Sequence, residues 1–233
     1  MILAAHQPNY LPWAGFFHKM ARCDILVLLD SVQYARRSYT ARCLIKQSDG
    51  RRHWLSVPVR KTGRYYQRIS QVEIWNEIPW QQDHLRTLSS NYARAPYFKE
   101  YRELLDLAYG RSWSHLSQMN ISLIEYLAEI LDLHPKIIKL SHLDIEARGT
   151  DLLIEICRRL GAEKYLSGPS GQRYLAADKF RAAGIELEIF RYWPRAYPQL
   201  WGGFVPGLSL IDILFNCGAE AAKRYVVCQE PEA

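Results

Sequence analysis

The first thirty residues run from an apolar stretch through a polar, proline-bearing segment to a second apolar stretch. Ile2, Leu3, Ala4 and Ala5 predict a strand, and Pro8 and Pro12 keep the following segment out of helix. A short helix is expected over 13–21. The run from Asp24 through Ile25, Leu26, Val27, Leu28 and Leu29 to Asp30 predicts a second strand. Continuous rather than alternating hydrophobicity marks a strand covered on both faces. Strand, helix and strand in this order predict a parallel βαβ unit with a right-handed crossover.

A different pattern follows. Segments 40–46 and 53–59 flank Gln47-Ser48-Asp49-Gly50, an Asp-Gly turn signal, and so predict an antiparallel hairpin. It is expected at the edge of the sheet, with a third strand near 69–74. Between 79 and 133 the apolar period becomes helical. One helix starts around Trp80, Leu85 and Leu88, and another covers 97–108. The longest carries Leu116, Leu123, Ile124, Leu127, Ile130 and Leu131 on one stripe, with Ser112 or Ser114 as N-cap.

Alternation of strand and helix then returns. A strand over 137–140 precedes a helix capped by Thr150 or Asp151 and closed by Gly161. A strand over 164–167, a Gly-Pro-Ser-Gly turn, a helix over 174–183, a strand over 185–190 and an apolar helix over 208–217 complete the chain. The class is α/β: a doubly wound, mostly parallel sheet of about five strands. It carries a β-hairpin at about 36–75 and a helical insertion at about 79–133. With no Gly/Ser/Pro linker in sight, residues 1–233 are expected to form a single domain.

Composition narrows the class of protein. With 48% hydrophobic and 12% aromatic residues, the chain is expected to fold around a sizeable core. Its apolar runs fall short of the roughly 20 residues that span a bilayer, and residues 1–5 lack the basic region of a secretory signal. The five cysteines (Cys23, Cys43, Cys157, Cys217, Cys228) are widely spaced with no C-x-x-C, as expected of thiols in a reducing cytoplasm. A cytoplasmic protein with no membrane span is therefore expected.

The net charge of +6 is concentrated. From Arg36 to Arg68 there are eight Arg and two Lys against the single acid Asp49, while the rest of the chain has 20 basic and 23 acidic residues. Such a local field suits an anionic ligand, or else is a solvated basic loop. Arg36, Arg37, Arg42 and Lys46 are expected to converge on one cleft and hold phosphate.

Candidate chemistry centres on the segment after the first strand. In doubly wound sheets ligands bind beyond the carboxyl ends of strands at the switch point, which singles out His6, Gln7, Asn9, Tyr10, Trp13, Gly15 and His18. His6 suits acid/base or phosphate contact, with Asn9 beside it; Gly15 suits close backbone approach. Ser167, Gly168 and Ser170, between a strand and an expected helix, suit an anion. Asp212 and Asn216 share one face of an apolar helix, either as a buried polar bridge or facing a cleft. Gln199 or Asp212 is expected within reach of residues 6–10. No metal site is expected, since H-x-x-x-H and H-E-x-x-H are absent. No G-x-x-x-x-G-K loop, G-x-S-x-G elbow or G-x-G-x-x-G after the first strand occurs either.

The run H-Q-P-N-Y-L-P-W-A-G-F-F-H-K at 6–19 resembles the opening signature of the WbqC-like family, bacterial proteins of O-antigen and other surface-polysaccharide gene clusters. W-L-S-V-P-V at 54–59, Y-L-S-G-P-S-G at 165–171, Y-P-Q-L at 197–200 and L-S-L-I-D-I-L-F-N-C-G at 208–218 agree with it. The resemblance implies a role in building or modifying an activated sugar, with a nucleotide or nucleotide sugar as partner. Residues 1–46 also faintly resemble the nucleotidylyltransferase superfamily, which implies ATP, with Mg, as cofactor. Its H-x-G-H motif is replaced here by Trp13-Ala14-Gly15-Phe16. Two functions are expected from these features. One is a nucleotide-dependent transferase that moves an adenylyl or acyl group to an amino sugar, with His6, Asn9 and Asp212 as catalytic candidates. The other is a phosphate- or nucleic-acid-binding protein that uses the Arg/Tyr-rich hairpin.

Overall fold

A computed structural model describes residues 1–227 of the chain. Strand β1 (Ile2–His6) and helix α1 (Ala14–Ala21) lead to β2 (Ile25–Leu28), the expected βαβ unit. A hairpin follows, β3 (Arg42–Lys46) and β4 (Arg52–Ser56), then helices α2 (Trp80–Tyr92), α3 (Arg102–Tyr109) and α4 (Leu116–Ile130). The alternation resumes with β5 (Lys136–Lys139), α5 (Gly149–Leu160), β6 (Lys164–Ser167), α6 (Ala177–Ala182) and β7 (Glu186–Ile189). Helix α7 (Leu210–Val227) is interrupted at Gly218.

Five strands form one fully parallel sheet in the order β5-β2-β1-β6-β7. Strand β1 is central, and the winding direction reverses between β1 and β6. Alternation along β1 sends Leu3 and Ala5 to one face, against Ile156 and Cys157 of α5 and Phe180 of α6. Ala4 goes to the other face, in a core shared with Phe16 and Phe17 of α1, Leu123 of α4 and Leu214 of α7. Helices on both faces explain why β1 and β2 read as unbroken apolar runs.

The hairpin departs from expectation. It forms a separate two-stranded sheet rather than extending the edge of the main one. The expected third strand near 69–74 is a 3-10 turn at Ile69–Gln71 plus a single bridge from Ile74 to Val59. The inner face of the hairpin (Cys43, Ile45, Leu55) packs into the core with α2 to α4, so burial rather than strand pairing fixes its place.

Several boundaries also shift. The helix expected over 97–108 is a 3-10 turn, Phe98–Tyr101, followed by α3. Neither Ser112 nor Ser114 caps α4, whose N-cap is His115 without a side-chain bond. Thr150 and Asp151 lie inside α5, which begins after Arg148; the Thr150 hydroxyl instead accepts from the amide of Ala176. Gly161 does close α5, at φ +69°. The helix expected over 174–183 shortens to α6, because Pro169–Arg173 forms a 3-10 turn before it. Cys23, Cys43, Cys157 and Cys217 are free thiols, whereas Cys228 lies outside the described residues. Among the described residues no helix is long and apolar enough to cross a membrane.

The interruption of α7 suits glycine on two counts. Gly218 adopts φ +78°, and a Cβ there would lie 3.0 Å from the Tyr97 ring. Gly63 has a similar φ of +72° with nothing within 4 Å of the added carbon. Gly218→Ala should therefore lose about 1–3 kcal/mol in urea unfolding, and more than Gly63→Ala, the excess measuring the clash with Tyr97. Equal losses would show that backbone conformation alone fixes the kink.

Candidate functional site

The carboxyl end of β1 emerges at the switch point, and His6 is the last residue of the strand. Its ring meets Phe16 edge-on, with centroids 4.8 Å apart. Nδ1 lies 2.9 Å from the carbonyl oxygen of Gln7. A carbonyl only accepts, so Nδ1 carries the proton and a neutral ring leaves Nε2 as an acceptor. Burial, and then the nearby Lys19 charge, lower the His6 pKa to about 3, so the imidazole is neutral at physiological pH.

Lys19 was not singled out by the sequence reading. It lies on α1, is 5% exposed, and donates from Nζ to the carbonyl oxygen of Ala5 at 2.6 Å. Burial lowers its pKa to about 8. A signal did exist: Lys19 sits among Phe16, Phe17 and Met20, and no acid stands three or four residues away on its helix.

The segment after β1 is tied to the basic loop. The Tyr10 amide donates to the Tyr39 carbonyl at 3.0 Å, and the Thr40 hydroxyl donates to Gln7 Oε1 at 3.3 Å. Beneath both, buried Asn120 donates from Nδ2 to the carbonyls of Pro8 and Thr40, at 2.8 and 2.7 Å. Arg36 and Arg42 both act on the buried Tyr34, opposing the rise in its pKa that burial causes. The Arg42 guanidinium stacks over Trp54 at 3.9 Å, and that of Arg36 lies 5.0 Å from the Tyr65 ring centre. Arg37, exposed at φ +58°, belongs to the same loop.

Two features set this loop apart. None of Arg36, Arg37, Arg42 or Arg68 pairs with an acid among the described residues, whereas Arg60 and Arg64 are bridged to Glu73 and Glu77. Among the described residues four buried side-chain atoms lack a protein partner: Ser38 Oγ, Arg42 Nε, Gln67 Oε1 and Asn120 Oδ1. All four belong to this loop or to segments bonded to it, through Tyr34 to Gln67 and Asn120 to Thr40. Buried polar atoms are ordinarily satisfied, so their concentration in one place is informative.

The other candidates separate. Tyr10 is buried, 2.5 Å from the Tyr109 hydroxyl and 3.1 Å from His84 Nδ1, so it braces the helical block instead of lining an open pocket. Asn9 is also buried. Trp13 lies over Gly15, where a Cβ would come within 2.3 Å of the indole, so that close approach serves packing. His18 is bonded at 2.6 Å to the carbonyl of Val226 and locks α1 to α7.

Lys46 does not join the arginines. It is 1% exposed and donates to Gln199 Oε1, Gly202 O and Gly203 O at 3.2, 3.3 and 2.6 Å. Its strand turns Arg42 and Lys46 to the same face but four residues apart, which separates the two heads. Asp212 belongs with Lys46 in a second polar centre. Its carboxylate accepts from the hydroxyls of Tyr92 at 2.7 Å and Tyr197 at 2.9 Å, while the Asn216 amide donates to the Asp212 carbonyl at 2.8 Å. Burial raises the Asp212 pKa against those bonds and against Lys46. No hydrogen bond among the described residues links Asp212 or Gln199 to residues 6–10. The start of α7 touches the first loop instead through Ser209, whose hydroxyl donates to the Leu11 carbonyl at 2.7 Å.

Ser167 closes β6 beside β1, with its hydroxyl turned onto the Gly168 carbonyl at 3.2 Å. Ser170 is exposed in the 3-10 turn. The element that follows Gly168 is a 3-10 turn and not the α-helix expected there, since α6 begins only at Ala177. Two surface grooves lie elsewhere. One, of about 340 Å³, is lined by Asp144, Glu146, Asp151 and Arg158; the other, of about 390 Å³, by Arg60, Glu73 and Glu77, whose charges already pair.

The lowered His6 pKa makes a prediction. With a folded value near 3 against 6.5 unfolded, the unfolded chain binds the extra proton, so stability is full above about 6.5 and is lost as pH falls towards 3. His6→Asn should unfold in acid with a shallower dependence over that window than the parent. An unchanged dependence, followed by urea unfolding at several pH values, would show that the ring is not buried as described.

Comparison with known proteins agrees with the architecture. A chain from Mycobacterium tuberculosis, the uncharacterized protein Rv1507c, is 34% identical over 230 residues, covering 98% of this chain and 99% of the relative. No solved structure matches. Residues 7–224, a span that includes the switch-point loop, the basic hairpin and nearly all of α7, match a family model. The chain belongs to the WbqC-like protein family.

Proposed function

We propose that this protein is a nucleotide-dependent enzyme that acts on an activated sugar, and that it binds the phosphates of a nucleotide or nucleotide sugar where the basic loop meets the carboxyl end of β1. The observation that carries the reading is a juxtaposition. Arginines without acid partners, Arg36 and Arg42, stand on a loop hydrogen-bonded directly to the segment that leaves the central strand at its switch point. That position is where doubly wound sheets take ligands. Arg offers a planar fork of donors suited to phosphate, and Trp54, Tyr39 and Tyr65 add ring faces for a base or sugar.

In its most specific form the reaction transfers an adenylyl or acyl group to an amino sugar. His6, as a neutral imidazole whose Nε2 can accept, would take a hydrogen bond from the attacking amine and orient it. Its low pKa fits it to position rather than to deprotonate. Pyrophosphate would leave in adenylyl transfer from ATP, or AMP in acyl transfer from an acyl-adenylate, and the amine proton would pass to solvent. Among the described residues no three of His, Cys, Asp and Glu cluster as a metal site. Magnesium is ordinarily held by one or two carboxylates together with substrate phosphates, so here it would arrive with the phosphates of the nucleotide. A cytoplasmic setting belongs to the same proposal.

The alternative of nucleic-acid binding draws on the exposed Tyr65 and Tyr66 beside the arginines. One titration separates the two readings. ATP and a nucleoside-diphosphate sugar should bind, and Arg36→Ala with Arg42→Ala should weaken that binding about 100-fold, roughly tenfold per lost charged contact. Loss of nucleotide binding alongside micromolar, steeply salt-dependent affinity for RNA or DNA would favour the alternative.

A further inference from the structure

Lys19 is a buried cation without an anionic partner among the described residues. An ammonium removed from water costs several kcal/mol unless a counter-charge or a full set of acceptors replaces the solvent. Lys19 has three donors, and the described residues supply one hydrogen-bond acceptor, the Ala5 carbonyl. No carboxylate among the described residues lies within ion-pair distance. The titratable groups that act on it are His6 from β1, neutral, and Cys23 from the turn after α1, a thiol whose pKa burial pushes up to about 12. Neither carries negative charge at physiological pH.

The position of the ammonium follows from the sheet. Carbonyls along a parallel strand alternate between its two neighbours. Those of Ile2 and His6 are taken by the amides of Asp24 and Leu29 on the β2 side, so the Ala5 carbonyl points towards β6. Pairing of β1 with β6 runs from Ile2 opposite Lys164 to Ala4 opposite Leu166 and extends no further. Lys19 Nζ therefore caps the point at which β1 and β6 part, the base of the crevice, beside His6.

We propose that Lys19 supplies the fixed positive charge of this crevice and binds a phosphoryl oxygen of the ligand, which provides the counter-charge that the fold omits. The assignment rests on the nucleotide-binding reading and adds a residue to it. The arginines would hold the outer phosphates from the loop, and Lys19 the phosphoryl group nearest to His6. Cost in the unliganded fold and gain on binding then belong to one design, in which stability is given up locally for function.

The test is Lys19→Met, which keeps length and suits an apolar site. Affinity for ATP and for inorganic pyrophosphate, measured by calorimetry, should fall about 30-fold, the loss of one charged hydrogen-bond partner. The melting temperature of the variant should equal or exceed that of the parent. At pH 8.5 ATP binding to the parent should take up a proton, seen by repeating calorimetry in buffers of different ionisation enthalpy, and the variant should not. Unchanged affinity in the variant, or a lower melting temperature with binding intact, overturns the proposal and makes Lys19 a structural pin for the Ala5 carbonyl. If the arginine variants lose ATP and Lys19→Met does not, the binding reading survives without this residue. If the parent binds no phosphorylated ligand, both fall.

Discussion

Strand β1 has no free edge and no free face. It pairs with β2 on one side and β6 on the other, and packs helices above and below, so the strand can present polar groups to a ligand at its ends alone. That constraint organises the site. His6, the Ala5 carbonyl with Lys19, and the segment from Gln7 to Trp13 all gather where the strand runs out of neighbours. The helical block and the hairpin then reach the same place from outside, through Asn120 and through the bonds from Tyr10 to Tyr39 and Thr40 to Gln7.

Two polar centres result, and their chemistry differs. Around Asp212 the charges are answered within the chain: a carboxylate with two tyrosine hydroxyls, and a lysine with three oxygens from Gln199, Gly202 and Gly203. Such a network is costly to disturb and fixes α7 against the hairpin and the loop over 197–203. Around β1 and the loop over 33–42 the accounting does not close. Among the described residues the arginines there lack acids, two amide oxygens, a hydroxyl and a guanidinium nitrogen lack partners, and an ammonium is buried on a single carbonyl. The formal charges left unanswered are all positive and favour an anion, while the orphaned amide oxygens call for donors such as the hydroxyls of a sugar.

Much of the fold was legible in the sequence because continuous apolar runs and capping glycines report burial directly. The unbroken run from Ile25 to Leu29 and the glycine at 161 led to β2 and to the end of α5, and the alternation of elements led to a parallel sheet. The hairpin was legible from Asp49-Gly50, but its place was not, since nothing in a period-two pattern says which surface receives the buried face. Ser112, Ser114 and Thr150 misled because cap propensity is local, while the helix starts were set by packing. In the site, the switch-point segment and the basic loop were visible as a polar interruption and a charge excess. Grouping Lys46 with Arg42 failed for a reason that composition cannot show: a fully buried lysine was answered by carbonyls more than 150 residues away. Lys19 was overlooked because a single lysine in a short helix looks like a solvated one until its burial is known.

The central claim is that the loop over 33–42 and the end of β1 form one anion-binding crevice. Hydrogen–deuterium exchange with and without saturating ATP tests it most directly, since backbone bonds such as Tyr10 to Tyr39 report the closure of the two segments on a ligand. The account predicts slowed exchange in residues 7–13 and 33–42, with a smaller effect at 167–173. Slowing confined to the acidic groove around Asp144 and Asp151, or none at any segment while ATP is bound, would contradict it.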